Sequence, residues 1–307
     1  MILGGGGFIG RHLAATLALR GVEVLAIGHG RGLEPACTSY SWQEMHLPSA
    51  ELTDVISNWR PEVLIHAAST ADVGRSIREP AHDFENSVRV WAGVLEAVRL
   101  ASHDCKLIYL SSAAVYGNPT SIPVRETDAA QPVSPYGHHK HICELLARCY
   151  CEQYGLKISI IRIFSAYGPG LARQLIWDIC CQVRAGQVVR LMGTGAERRD
   201  LVNVVDVVGA IELVASRGET DCEVYNLGSG HGVTIRDVAE TLLDVFGTEC
   251  NLVFSGVVRA GDPLHWEAEI NRLSRIGYTP SIDMRSGLEE YVSWFRKLPP
   301  VPSSFPL

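Results

Sequence analysis

The run Gly4-Gly5-Gly6-Gly7-Phe8-Ile9-Gly10 limits what this chain can fold into more than any other stretch, because glycines 4, 7 and 10 are spaced three apart. Ahead of it stand Met1, Ile2 and Leu3. Behind it, residues 11–20 carry Leu13 and Leu17 at helical spacing and stop at Gly21. A strand, a glycine turn and a helix in that order form a cradle for a pyrophosphate. The glycines let the backbone approach, and the helix N-terminus offers free N–H groups at its positive end. Without that context the same glycines would be an ordinary flexible turn. Only three residues precede the glycines, so either the natural chain starts earlier or the first strand is very short.

The pattern that follows alternates strands with helices. Residues 22–27 are an almost continuous apolar run, as in a parallel strand buried on both faces. The strand ends at Gly28-His29-Gly30-Arg31, where an NAD site normally places an acidic residue for the adenosine ribose. His29 and Arg31 suit a 2′-phosphate instead, so the sequence leans toward NADP. Residues 32–50 read as irregular and 54–59 as a helix. Residues 62–68 read as a buried strand with His66 as a satisfied core residue. A long amphipathic helix is expected over 81–101, with Val88, Trp91, Leu95 and Val98 on one face. Residues 106–110 form a strand leading into Ser111-Ser112, 136–153 a helix, and 156–164 the next strand. This is a doubly wound α/β sheet of the Rossmann type. After Gly168-Pro169-Gly170 the elements shorten into a smaller α/β lobe suited to substrate binding. The expected division is 1–167 for the dinucleotide domain, with segments near 200–227 packing back on it, then 168–298 for the lobe. Residues 299–307, with four prolines, are a tail.

Chemistry is suggested by Ser134-Pro135-Tyr136-Gly137-His138-His139-Lys140. Positions i and i+4 share a helix face. An ammonium one turn from a phenol favours the phenolate, which makes Tyr136 a candidate acid/base. Ser112, at the end of a central strand, belongs to the edge where such sheets bind ligands. His138 and His139 read as helix-surface residues, and Trp177 and Trp266 as core.

Composition removes other classes. The chain of 307 residues is 47% hydrophobic and 20% charged, with a net charge of −7 and no basic run, so no nucleic-acid partner is expected. Its nine cysteines are odd in number and lack zinc spacing, and they read as reduced core thiols of a cytoplasmic protein. No metal site, no membrane span and no signal peptide are expected.

Taken in order, these motifs resemble the extended short-chain dehydrogenase/reductases of the nucleotide-sugar epimerase/dehydratase type over nearly the full length. The resemblance rests on the glycines, on Ile65-His66-Ala67-Ala68, and on Ser111-Ser112-Ala113-Ala114-Val115-Tyr116-Gly117. It also rests on Tyr136 with Lys140, Arg162-Ile163-Phe164-Ser165, Tyr167-Gly168-Pro169, Arg199-Asp200, Asn226-Leu227-Gly228, and Arg259 with Asp262 and Pro263.

The resemblance implies that Gly4, Gly7, Phe8, Ile9, Gly10, His29, Arg31, Ala67, Tyr136 and Lys140 hold NAD(P). Tyr136 would be the acid/base, Lys140 would lower its pKa and hold the nicotinamide ribose, and Ser112 would bind the sugar oxygen. Ser165 would also face the substrate. Arg199 and Arg259 would grip the diphosphate, and Asp262 the nucleoside ribose. Helices 81–101 and 136–153 would pair in a homodimer.

Two departures narrow the reaction. The 4,6-dehydratases carry an acid and a base where Ala113 and Ala114 stand, and the bifunctional 3,5-epimerase/4-reductases a cysteine at Ala114, so both are disfavoured. A conventional 4-epimerase usually has Asn at Ser165 and an acid at Gly28. The leading expectation is an NAD(P)-dependent epimerase acting by transient oxidation at C4 of a nucleotide-diphosphate sugar. A 4-ketoreductase using NADPH is the alternative. A non-catalytic nicotinamide sensor or scaffold is a third class, which often lacks the Tyr or the Lys retained here.

Overall fold

A computed structural model describes residues 1–30, 32, 38–101, 104–186, 188–257 and 264–299. In chain order the first half reads β1 (Ile2–Leu3), α1 (Phe8–Leu19), β2 (Val24–Gly28), β3 (Tyr40–Glu44), α2 (Leu52–Trp59), β4 (Val63–His66), α3 (Val73–Arg78), α4 (Pro80–Phe84), α5 (Val90–Ala101), β5 (Lys106–Ser112), α6 (Pro135–Tyr154) and β6 (Ile158–Ile163). It continues with β7 (Ser165–Tyr167), α7 (Gln174–Arg184), β8 (Val189–Leu191), β9 (Arg198–Asn203), α8 (Val204–Arg217), β10 (Asp221–Leu227), β11 (Gly232–Thr234), α9 (Ile235–Phe246), β12 (Leu252–Phe254), α10 (Asn271–Arg275) and α11 (Met284–Arg296).

Seven strands form one sheet in the order β10-β6-β5-β4-β1-β2-β3, all parallel. Successive side chains on a strand point to opposite faces, so each buried strand supplies two cores. Leu3, Leu25, Leu64, Leu107 and Tyr109 pack with Ile56 of α2, Trp91 and Leu95 of α5, and Cys143 of α6. Ile2, Val24, Ala26, Ile65 and Ile108 pack with Leu13 of α1 and Val207 and Ile211 of α8. The strand order reverses between β1 and β4, and the crevice at such a switch point is where these sheets bind ligands. A third core joins α7, α9 and α11.

Four local expectations are corrected. Residues 32–50 are not all irregular. Tyr40–Glu44 pairs in parallel with β2 as the edge strand, and its half-exposed position explains why no apolar run marks it. The 81–101 helix is interrupted: α4 passes into a π-helical turn at Glu85–Arg89 before α5. His66 is core but not satisfied. Its ring packs on Trp91 and Tyr109 while Nδ1 has no hydrogen-bond partner, and burial lowers its pKa to about 3. The described cysteines are free thiols, yet Cys149 is exposed rather than buried. No helix among the described residues is long and apolar enough to cross a membrane.

Candidate active site

At the switch edge, Gly4 adopts φ +84°, and a Cβ there would lie 2.6 Å from the Ala68 nitrogen and 2.7 Å from the Ala67 carbonyl carbon. A Cβ on Gly10 would lie 2.2 Å from the Gly4 carbonyl oxygen, so the first turn of α1 can press on the loop only as glycine. The α1 N-terminus has no side-chain cap and no acidic residue in its first turn. Its unsatisfied N–H groups and positive end therefore face the loop, as a pyrophosphate requires. Phe8 packs toward the C-terminal core and Ile9 toward the sheet, fixing the helix between the two halves. The residues present fit a dinucleotide.

The adenosine end differs from the sequence expectation. A Cβ at Gly28 would lie 3.0 Å from the Trp42 ring, so the indole occupies the space an acidic side chain would need there. Glu44 is the register partner of Gly28 on β3, and its Oε1 accepts from the Gly30 N–H at 3.3 Å. A carboxylate therefore stands at this corner after all, supplied by the neighbouring strand. His29 is exposed and stacks on His46 with centroids 5.7 Å apart. Arg31 lies outside the described residues. Recognising β3 in the sequence would have exposed Glu44; its single alternating pattern among polar residues hid it.

Across the crevice, β5 ends in Ser111-Ser112 and a short 3-10 turn, Ala113–Tyr116. Helix α6 starts against that turn. The Ser134 hydroxyl caps it by accepting from Gly137 N–H at 3.2 Å, and Pro135 suits the first helical position. A Cβ on Gly137 would lie 2.5 Å from the Ala114 carbonyl oxygen, so glycine is what lets the helix start this close. Tyr136 N–H donates to Ser76 Oγ at 3.1 Å. The result places Ser112, Tyr136 and Lys140 together, with Tyr136 and Lys140 buried.

The electrostatics run against the simple spacing argument. Burial pushes the Tyr136 phenol up to about 12, opposed by a hydrogen bond with Ser112 and reinforced by the charge of Asp83. Arg173 also pulls it down. Lys140 is lowered to about 8 by burial, against Cys143, Asp83 and Glu144. Its Nζ donates to the Leu110 carbonyl at 2.8 Å and sits 5.8 Å from the Tyr136 ring centroid. The two groups do meet on one face, but burial outweighs the pull of Ser112 and Arg173 on the phenol.

Behind the serines lies a buried polar network that no single motif announced. Arg162 meets both Glu144 oxygens, at 3.0 and 2.7 Å, and donates to the Tyr116 hydroxyl at 2.8 Å. Tyr116 donates to Asn226 Oδ1 at 2.6 Å, and Ser111 to Glu144 Oε1 at 2.6 Å. Although burial alone would raise it, the His141 ring 3.9 Å away, the Arg162 and Ser111 hydrogen bonds and the Arg162 charge hold Glu144 down to about 2.

Of the other expected residues, Ser165 is half-buried at the start of β7. Arg199 lies on β9 with its guanidinium 5.8 Å from the centroid of Trp266, and Trp266 shares an apolar cluster with Tyr136 and Phe164. Trp266 Nε1 donates to the Gly117 carbonyl at 3.0 Å, which ties this lobe to the serine loop. Asp200, beside Arg199, is wholly buried and accepts from the backbone of Ser229, Gly230 and Ala268. Trp177 is core, as expected. Arg259 and Asp262 lie outside the described residues. Among those residues no cluster of His, Cys, Asp or Glu is arranged to hold a metal ion.

Known proteins resemble this chain over nearly its whole length. The chain is 30% identical to a UDP-glucose 4-epimerase of Azospirillum brasilense over 97% of this chain and 92% of that one. It superposes on the UDP-glucose 4-epimerase of Thermotoga maritima, solved with UDP-glucose, with TM-score 0.88 and 28% identity, covering 96% and 98% of the two chains. For the Thermus thermophilus UDP-glucose 4-epimerase, solved with NAD, the TM-score is 0.86 and the identity 27%, with the same coverage. A family model matches residues 1–228, and the chain belongs to the NAD dependent epimerase/dehydratase family.

Proposed function

We propose that this protein is a UDP-sugar 4-epimerase that keeps its NAD through the catalytic cycle. The observation that carries the reading is the meeting of Ser112, Tyr136 and Lys140 across the crevice from the Gly4–Gly10 cradle, in a chain whose relatives are UDP-sugar 4-epimerases. Gly4, Gly7, Phe8, Ile9, Gly10 and Ala67 hold the dinucleotide, and Lys140 its nicotinamide ribose. When bound, NAD would supply the reversible hydride acceptor for C4 of the sugar.

The chain's own part is proton transfer and alignment. Tyr136 takes the C4 hydroxyl proton as the hydride leaves and gives it back as the hydride returns. Ser112 holds the C4 oxygen. The Ser112 hydrogen bond and Arg173 lower the phenol from its buried value, and the ammonium of Lys140 adds to them in the role proposed here. Between the two half-reactions the 4-keto sugar turns over, presenting its other face. Arg199, with Arg259, takes the diphosphate, where a planar guanidinium matches phosphate oxygens, and Asp262 the nucleoside ribose. A homodimer through α4–α5 and α6 is supported by exposed apolar side chains there: Phe84, Leu100, Ile142 and Leu145.

Glu44 favours NAD over NADP, reversing the lean suggested by Gly28 and Arg31, because its carboxylate suits a ribose hydroxyl and repels a phosphate. Glu44→Gln is expected to shift the NADP+/NAD+ affinity ratio by about fivefold toward NADP+, the worth of one exposed like charge, in calorimetric titrations. An unchanged ratio removes Glu44 from cofactor choice. The reading as a whole is tested by denaturing freshly purified protein and identifying what it releases. NAD+ at one per chain supports a retained cofactor. An empty chain that binds NADPH more tightly than NADH points instead to the 4-ketoreductase.

A further inference from the structure

Helix α6 meets the end of β5 along one stripe. Gly137, Lys140 and Glu144 are three and four residues apart, so they share a helix face. A Cβ on Gly137 would lie 2.5 Å from the Ala114 carbonyl oxygen. Lys140 Nζ donates to the Leu110 carbonyl at 2.8 Å, and Ser111 Oγ donates to Glu144 Oε1 at 2.6 Å. Leu110 and Ser111 precede Ser112 and Ala114 follows it, so the stripe brackets that serine. The Ser112 hydroxyl itself accepts from Ala114 N–H at 3.2 Å. His139 pins the helix from another side and is not the helix-surface residue expected. Its Nδ1 lies 2.6 Å from Asp83 Oδ2 and its side chain is only 12% exposed, whereas His138 is exposed.

We infer that the hydrogen bond from Ser111 to Glu144 sets the register of α6 against the end of β5, which makes both of them positioning residues for Ser112 and Tyr136. Gly137 and Lys140 meet backbone carbonyls, which every residue of the strand end presents. A contact between two side chains is what tells one strand position from the next, and in this stripe Ser111 with Glu144 supplies it.

Glu144 is itself immobilised. Its two oxygens meet the planar Arg162 guanidinium at 3.0 and 2.7 Å. Arg162 goes on to the Tyr116 hydroxyl at 2.8 Å and the Glu126 carbonyl at 3.2 Å, and Tyr116 donates to Asn226 Oδ1 at 2.6 Å. Tyr116 is the last residue of the turn that Ser112 caps. Residues 111–116 are therefore held at both ends by one carboxylate–guanidinium pair, with Ser112 between the two attachments. Ser111, Tyr116, Glu144, Arg162 and Asn226 are all buried, so water does not compete for these bonds. Apolar side chains of like volume would fill the same space without desolvating two charges, but they would not hold Ser111 at one distance from α6. Catalytic groups misplaced by about 1 Å lose about a hundredfold in rate, which gives such a lock its value.

The kinetic weight of this bond rests on the acid/base reading of Tyr136 above; the register does not, and it is measured without a substrate. Variants at Glu144 or Arg162 strand a buried charge, so the probe is Ser111→Ala, which removes one hydroxyl and leaves that pair intact. Tyrosine labelled with carbon-13 at Cζ reports on each phenol of the NAD-loaded protein, and Tyr136→Phe assigns the signal of interest among the ten. Ser111→Ala is expected to shift the Tyr136 signal in the same direction as Ser112→Ala and to add little in the double variant, with a urea midpoint near that of the wild type. A Tyr136 signal unmoved in folded Ser111→Ala overturns the inference, and so does a shift as large in the Ser112→Ala background as without it. The rate is read with whichever of UDP-glucose, UDP-glucuronic acid and UDP-N-acetylglucosamine the wild type epimerises. There Ser111→Ala is expected to lower kcat about tenfold with KM kept, and by about twofold at most once Ser112 is alanine. An unchanged kcat overturns the positioning role. A protein that turns over none of the three contradicts the proposed function, and the Tyr136 signal still decides the register.

Discussion

Tyr136→Phe is expected to lower kcat for C4 epimerisation of the UDP-sugar substrate by about a thousandfold, within the usual range for loss of a positioned acid/base. Phenylalanine keeps the ring that packs with Ala114, Phe164 and Trp266. It removes only the hydroxyl that exchanges the proton, along with its hydrogen bond to Ser112. NAD released on denaturation should therefore remain at one per chain, separating a failure of proton transfer from a failure to bind. Steady-state rates alongside that release assay provide the check. An unchanged rate would take Tyr136 out of the mechanism.

Arg162→Leu is expected to destabilise the fold by about 3–5 kcal/mol, because it strands a buried carboxylate. The Arg162–Glu144 pair is bidentate, with both side chains less than a tenth exposed, so little solvent screens it. The substitution also removes the donor to Tyr116, and through Tyr116 the network reaches Asn226. Urea unfolding measures the loss. The double variant Arg162→Leu/Glu144→Leu should recover a large part of it, since replacing both partners by apolar groups removes the stranded charge. If the single and double variants are equally unstable, the cost lies in packing rather than charge.

What the sequence revealed and what it hid follow from the range of the interactions. The glycine cradle was legible because each glycine answers a backbone contact within seven residues or a neighbouring strand: Gly10 against Gly4, and Gly4 against Ala67 and Ala68. The Ser134–Lys140 helix start was legible for the same reason, its cap and proline being local. The buried strands showed as apolar runs because both faces of the sheet are covered. The edge strand β3 did not, since only a two-faced burial writes a continuous run, and with it went Glu44.

The phenol's upward shift could not be read from a four-residue spacing either. Spacing reports which groups meet, whereas desolvation depends on what the whole fold places around them. Asp83 and His139 are 56 residues apart and Glu144 and Arg162 18, on different elements, so no local pattern pairs them. Arg162, Tyr116 and Asn226 were visible as motif residues, yet their joint work as one network appears only in three dimensions.

The central claim is that hydride leaves C4 and returns to C4 without leaving the protein. The most direct measurement is incubation with a panel of UDP-sugars deuterated at C4 (UDP-glucose, UDP-glucuronic acid and UDP-N-acetylglucosamine), with no cofactor added, followed by NMR of the sugars. The expected product is the C4 epimer of one of them with its deuterium kept at C4. No inversion at C4, or inversion with the label lost to an added pool of nicotinamide cofactor, would contradict it.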